Sequence, residues 1–384
     1  MLEKKSVTKP LKWFEAALLI FLSGIHFAYS ILPSGKEFGV GRGSLLLQPP
    51  GIWGVDSFLL PYRDVKVWLP PGYHDRSNRK RLYPTLYVHD GQNAMEDMTS
   101  WTGQSWKLGE SLTRLFEQGL IDTPPIVVLI SNSGGDMLIP GLRRRHMEYG
   151  DAVNPVALAY LSHVSDYLKP RIDNRFRTLQ GPEHTAQLGT SLGGQMAFLS
   201  LWQRPDVFGG AACLSPAFQT ALLTDVALNG ARLRSLAQVP QETTLTSPPS
   251  LASSMPWEPR VTSTFLPSLA GREPRIYFDN GGDTDDTTVP VFDLDNAAAA
   301  MSSLLQGMPV SQALNPGYFW LDTSLQPGCD LMYNALKFHG VPFEFQRFPG
   351  GRHNERAWAQ RIDSPLLYLY GKKKYPERPF VPWL

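Results

Sequence analysis

The stretch Thr185-Ala186-Gln187-Leu188-Gly189-Thr190-Ser191-Leu192-Gly193-Gly194 decides the fold. Its centre has the spacing Gly-x-Ser-x-Gly, in which a serine sits on a sharp turn between a strand and a helix. The glycines answer a steric need: the turn brings backbone segments together, and a side chain at either position would obstruct it. Residues 185–188 form a short, mostly apolar run suited to a buried central strand. Residues 192–204 read as a helix that Pro205 stops, with Met196, Leu199 and Leu201 available to cover the sheet. A Gly-rich loop with a capping serine is the plain alternative, and the strand before and helix after weigh against it.

Working outward, residues 64–69, 82–89, 125–131, 210–214, 275–278 and 343–348 read as strands. Helices are expected over 106–118, with Leu108, Leu112 and Leu115 on one side, and over 156–167, ending before Pro170. This alternation predicts an α/β protein, a mostly parallel central sheet with helices on both faces, and the Gly-x-Ser-x-Gly turn within it points to the α/β-hydrolase fold. Such sheets take ligands at the carboxyl ends of their strands. With 384 residues, 42% of them hydrophobic, the chain can bury a large core. A net charge of +1 gives no electrostatic footprint for nucleic acid.

One catalytic domain is expected over residues 45–375. Two segments interrupt it: 239–271, rich in Pro, Ser and Thr, and 304–325, with Gly, Pro and scattered hydrophobes. The first reads as a lid or rim. Residues 1–32 read as a signal peptide: Lys4, Lys5, Lys9 and Lys12 precede the apolar run 16–32, and Ala28-Tyr29-Ser30 offers a cleavage site. Left uncleaved, the same segment would attach the chain to a membrane. Either reading places the body outside the cytosol or in a secretory lumen. Cys213 reads as a small core residue and Cys329 as a loop residue, with no disulfide framework.

A serine hydroxyl needs a base, and the base an orienting acid. In α/β-hydrolase chain order the acid and then the histidine follow the serine. Only His339 and His353 lie beyond Ser191. His339 ends a helix and reads as a cap. His353 follows the last strand, on the edge of the sheet that carries the turn, and is the expected base. The acid is expected after strand 275–278, where Asp279, Asp283, Asp285 and Asp286 crowd one loop. Asp279 lies nearest the strand and reads as structural. Asp285 is preferred, with Asp283 close behind; a calcium loop is the competing reading. The amides of Leu192 and Gln92 are the expected oxyanion donors. His89, at a strand end, reads as packing under the oxyanion loop. Trp101 and Trp106 are candidate pocket residues. Arg145, in the run Arg143-Arg144-Arg145, could bind an anionic substrate, although a solvated basic turn is the commoner reading. No metal or organic cofactor is required.

Several separated motifs resemble the esterase family that includes esterase D and enterochelin esterase. They are Pro70-Pro71-Gly72-Tyr73; the segment Tyr83-Pro84-Thr85-Leu86-Tyr87-Val88-His89-Asp90-Gly91-Gln92-Asn93; the turn at Ser191; Leu214-Ser215-Pro216-Ala217-Phe218; and Gly350-Gly351-Arg352-His353-Asn354-Glu355 through Trp358. The chain departs from that family at the acid, where Gly281-Gly282-Asp283-Thr284-Asp285-Asp286 replaces the usual Gly-Thr-x-Glu or Gly-Thr-x-Asp turn. The resemblance implies a serine carboxylic-ester hydrolase acting on a small-molecule ester through a Ser-His-Asp triad and an acyl-enzyme. The family also holds acyltransferases and feruloyl esterases, so transfer to an alcohol is an alternative, and a silent binding protein a third.

Overall fold

The computed structural model describes residues 40–134, 143–238, 273–281, 317–349 and 351–372, with the backbone alone for 235–238, 317–320 and 323. The leader, the 239–271 segment and the loop bearing Asp283 and Asp285 lie outside the described residues.

Eight strands form one sheet. In chain order they are β1 (Ser44–Leu47), β2 (Val65–Leu69), β3 (Thr85–His89), β4 (Ile126–Ile130), β5 (Thr185–Thr190), β6 (Gly210–Leu214), β7 (Arg275–Asn280) and β8 (Glu344–Arg347). Their spatial order is β1-β2-β4-β3-β5-β6-β7-β8. β2 runs antiparallel to both neighbours, and β4 through β8 pair in parallel. The central strands read as continuous apolar runs because both faces are covered. In β4, Ile126, Val128 and Ile130 enter the core on one face, and Val127 and Leu129 enter the core on the other.

The helices are α1 (Leu108–Glu117), α2 (Arg144–Glu148), α3 (Pro155–His163), α4 (Lys169–Arg175), α5 (Leu192–Gln203), α6 (Thr220–Asn229), α7 (Ala231–Gln238), α8 (Gly317–Phe338), α9 (Glu355–Arg361) and α10 (Asp363–Tyr370). α1, α9 and α10 contribute to the core on one face; α3, α5, α6 and α8 contribute to that on the other. Leu108, Leu112 and Leu115 of α1 are buried, as their spacing suggested.

Three sequence expectations need correction. The helix at 156–167 does not end before Pro170: a π-helical turn, Val164–Leu168, carries the chain into α4, where Pro170 occupies the first turn. With no N–H to donate, Pro170 interrupts the ladder of this continuous helical run directly after the π turn. The segment 304–325 is not simply an insertion, because α8 begins at Gly317 and packs Cys329, Met332 and Leu336 into the core. Cys329 is therefore a helical core residue, not a loop residue. Both cysteines are buried and free. Among the described residues, no helix is long and apolar enough to cross a membrane.

Candidate active site

Ser191 stands between β5 and α5 with φ 57° and ψ −125°, a backbone conformation that L-residues rarely adopt. Holding it there costs about 1–3 kcal/mol, which the surrounding structure must supply. Three hydrogen bonds do the holding. The Ser191 amide donates to the Leu214 carbonyl at 3.0 Å, and the Ser191 carbonyl accepts from the amides of Gln195 (3.1 Å) and Ala217 (3.0 Å). Gly189 is required by close approach, since a Cβ there would run into the Gly193 backbone. Leu192 is the first residue of α5, where the amide has no intrahelical acceptor.

β3 lies beside β5, with Val88 opposite Leu188, so the turn after His89 adjoins the turn at Ser191. Asp90 adopts φ 54°, and the chain then enters a short 3-10 helix, Gly91–Asn93. The Gln92 amide is in its first turn and, like that of Leu192, has no partner within its helix. Asp90 fixes this turn. Its Oδ1 accepts from Asn132 Nδ2 and Arg145 Nε, both at 2.8 Å, and its Oδ2 accepts from Arg145 Nη2 at 2.6 Å. The Gln92 side chain accepts from the Asn132 amide at 3.1 Å.

His353 follows β8 and is buried. Its Nδ1 donates to Asp322 Oδ1 at 2.7 Å. Asp322 comes from the first turns of α8. Burial pushes its carboxyl up, but His353 and Arg361 outweigh burial and hold it below the usual carboxylate range. The Trp358 ring stands edge-on to His353, with centroids 5.0 Å apart. The Trp358 indole and Arg361 both donate to the Ser215 hydroxyl. Ser215 lies in the turn whose flanking residues, Leu214 and Ala217, hold Ser191. The serine and histidine loops thus meet across residues 214–217.

The expected acids Asp283 and Asp285 lie outside the described residues, and the carboxylate on His353 belongs to Asp322, which sequence reasoning missed. Asp279 has the structural place expected of it: its Oδ1 accepts from the Ser215 amide at 3.0 Å and its Oδ2 from the Tyr277 hydroxyl at 3.1 Å. Burial pushes its carboxyl up to about 6, with Arg361 opposing. His89 is spent inside the core: its Nε2–H donates to Gln187, and its Nδ1 accepts from the Tyr160 hydroxyl at 2.8 Å. Burial brings its imidazole down to about 4. His339 caps the neighbouring helix α6, donating to the Ala227 carbonyl in its last turn at 2.8 Å.

Trp106 does not line an open pocket. It is fully buried and packs edge-to-face on Trp358, so it supports the histidine from behind. Trp101 is half-buried, with the Arg143 guanidinium 4.0 Å from its ring centre. Arg145 is not a solvated cation awaiting a substrate, because two of its nitrogens clamp Asp90 beneath the turn at Gly91–Asn93.

The sequence matches the family described as "Putative esterase" over residues 62–307. Among curated proteins, the uncharacterized protein YbbA of Bacillus subtilis (strain 168) is 22% identical over 160 residues, which is 41% of this chain and 57% of that protein. The match therefore spans little more than half the length of that relative. Among solved structures, the siderophore hydrolase EstA from Aspergillus nidulans is similar at TM-score 0.50 with 15% identity, covering 86% of this chain and 95% of that one. A ferulic acid esterase is similar at TM-score 0.49 with 15% identity, covering 86% and 98%. At 15% identity the likeness to EstA is one of fold alone, and the mostly parallel eight-stranded sheet has the strand order of α/β hydrolases.

Proposed function

This chain belongs to the esterase family that residues 62–307 match, and we propose that it hydrolyses carboxylic esters through a covalent acyl-enzyme on Ser191. The observation that carries the proposal is the buried His353–Asp322 hydrogen bond of 2.7 Å. With its proton on Nδ1 and held by a carboxylate, the imidazole keeps Nε2 unprotonated, the state a general base requires.

Ser191 Oγ attacks the ester carbonyl carbon while its proton passes to His353 Nε2. The amides of Gln92 and Leu192 hold the resulting oxyanion, and because both are fixed in helix first turns they need no reorganisation. The C–O bond then breaks, and the alcohol leaves with the proton from His353. Water attacks the acyl-enzyme, gives its proton to His353, and releases the acid and free Ser191. Asp322 orients the imidazole throughout and stabilises its protonated form. The substrate is a small-molecule ester, and the leader reading places the reaction outside the cytosol.

The test pairs a serine variant with three acid variants. Ser191→Ala should lower turnover of short p-nitrophenyl esters by roughly a thousandfold or more and abolish fluorophosphonate labelling. Undiminished turnover in that variant would remove the chemistry from Ser191. Asp322→Asn should cost about as much as the corresponding change in a serine triad, on the order of 10⁴ in kcat. Asp283→Asn and Asp285→Asn should stay near wild type, and a large loss in either would return the acid to that loop.

A further inference from the structure

Asp322 engages His353 through Oδ1 alone. Its Oδ2 is buried and makes no well-formed hydrogen bond, with the Ser215 hydroxyl nearby. Arg361, at the end of α9, is also buried, and neither its Nε nor its Nη1 has a hydrogen-bond partner among the described residues. Its third nitrogen, Nη2, reaches the Ser215 hydroxyl and stands 3.2 Å from Asp279 Oδ1. The bare Cα of Gly281 locates the two unpartnered groups. A Cβ there would collide with Asp322 Oδ2 and come within 2.7 Å of both Arg361 Nη1 and the Gly351 carbonyl. The Asp322 carboxylate and the Arg361 guanidinium therefore flank one point, and only glycine leaves that point empty.

One buried cation thus faces two buried carboxylates, Asp279 from β7 and Asp322 from α8. A carboxylate removed from water without a cation takes up a proton instead, and a protonated acid holds an imidazole poorly. We propose that Arg361 is a positioning residue for the reaction, keeping Asp322 ionised and aimed at His353, while Asp279 and Ser215 fix the guanidinium in place. This rests on the reading of Ser191 and His353 given above. Arg361 acts through Asp322 and touches no reacting atom. The other titratable groups near the two carboxylates are Tyr277, which donates to Asp279, and Cys213 and Cys329, whose thiols burial keeps neutral.

The experiment measures kcat, KM and the pH dependence of kcat/KM for Arg361→Met, Arg361→Lys and Asp279→Asn, with Ser191→Ala as the reference for the underlying chemistry. Arg361→Met should lower kcat by about tenfold to a hundredfold with KM within about twofold, since no substrate contact is lost. Its acid limb should move to higher pH, because without the cation the Asp322–His353 pair gives up its proton later. Arg361→Lys should recover most of kcat and return the limb toward wild type. Asp279→Asn removes the competing carboxylate and should move the limb the other way. It carries the test if Arg361→Met does not fold. An unchanged acid limb in the arginine and aspartate variants would overturn the inference, as would Lys rescuing no better than Met. Retained activity in Ser191→Ala would instead overturn the assignment of the site.

Discussion

Glu355 lies two residues beyond His353, buried at the start of α9, with Oε2 unpaired among the described residues. Burial is the main cause that pushes its carboxyl up to about 7; the charge of Asp90 adds to this and Arg145 opposes it. Folding therefore raises its affinity for a proton above that of an ordinary glutamate. The sign of the linkage follows: the folded state is favoured while the group is protonated, and that advantage is lost as pH rises from about 4.5 through about 7. Glu355→Gln mimics the protonated form at every pH. It should leave stability unchanged near pH 4 and add up to about 3 kcal/mol at pH 8. Thermal melts of both proteins across that range check this, and parallel curves would show that Glu355 stays ionised in the fold. The same residue shows what a sequence conceals. Its place in the motif after His353 is plain, but its burial between the histidine loop and the Asp90–Arg145 pair depends on segments distant in the chain.

At the scale of elements, α2 is a short helix whose contribution is to aim Arg145 at Asp90. The other end of α2 is pinned by Glu148, which makes two bonds to Arg63 (2.7 and 3.1 Å) with both side chains fully buried. Arg63 also stacks over Trp53, 4.4 Å from its ring centre. Removing one partner of such a pair leaves an uncompensated charge in the core. Glu148→Gln should therefore cost about 3–5 kcal/mol, and Arg63→Met a similar amount. The double variant should cost clearly less than the two together, because neither charge remains. Denaturant unfolding of the four proteins measures this coupling, and simple additivity would contradict it. If α2 supports the oxyanion turn, Glu148→Gln should also lower kcat. The elements differed in how openly the sequence announced them. β5 and α5 were legible because strand, turn and helix are contiguous and each carries its own signal. Of α8 only the end at His339 was, because Pro327 and Gly328 make the composition before it look like a loop, while the packing of Cys329, Met332 and Leu336 against the sheet holds it helical. Missing the first turns of that helix meant missing Asp322. Trp106 was misjudged for a related reason, since nothing local separates a core tryptophan from one that lines a pocket.

Over the whole molecule, the site is built from the carboxyl ends of β3, β5, β6, β7 and β8, so it exists only when the sheet is complete. In the proposed triad the order serine then histidine follows from the chain, because the fold imposes it. The proposed acid, Asp322, does not, because any carboxylate reaching the β7–β8 edge can serve, whatever element carries it. The family match ends at residue 307, before α8, β8 and His353. A chain ended at residue 307 would lose more than His353. Phe278 of β7 packs on Phe343 and Phe345, with centroids 5.6 and 4.7 Å apart, and both rings would be gone. Four backbone pairings from Tyr277 to Asn280 would lose β8, leaving β7 as an unprotected apolar edge. Asp279 and Ser215 would also lose Arg361. We expect the truncated protein to be inactive, to bind a hydrophobic dye such as ANS, and to aggregate on concentration. A monomer that unfolds cooperatively without binding the dye would show that the sheet is complete by β7 and that the C-terminal elements serve only to deliver the histidine and its acid.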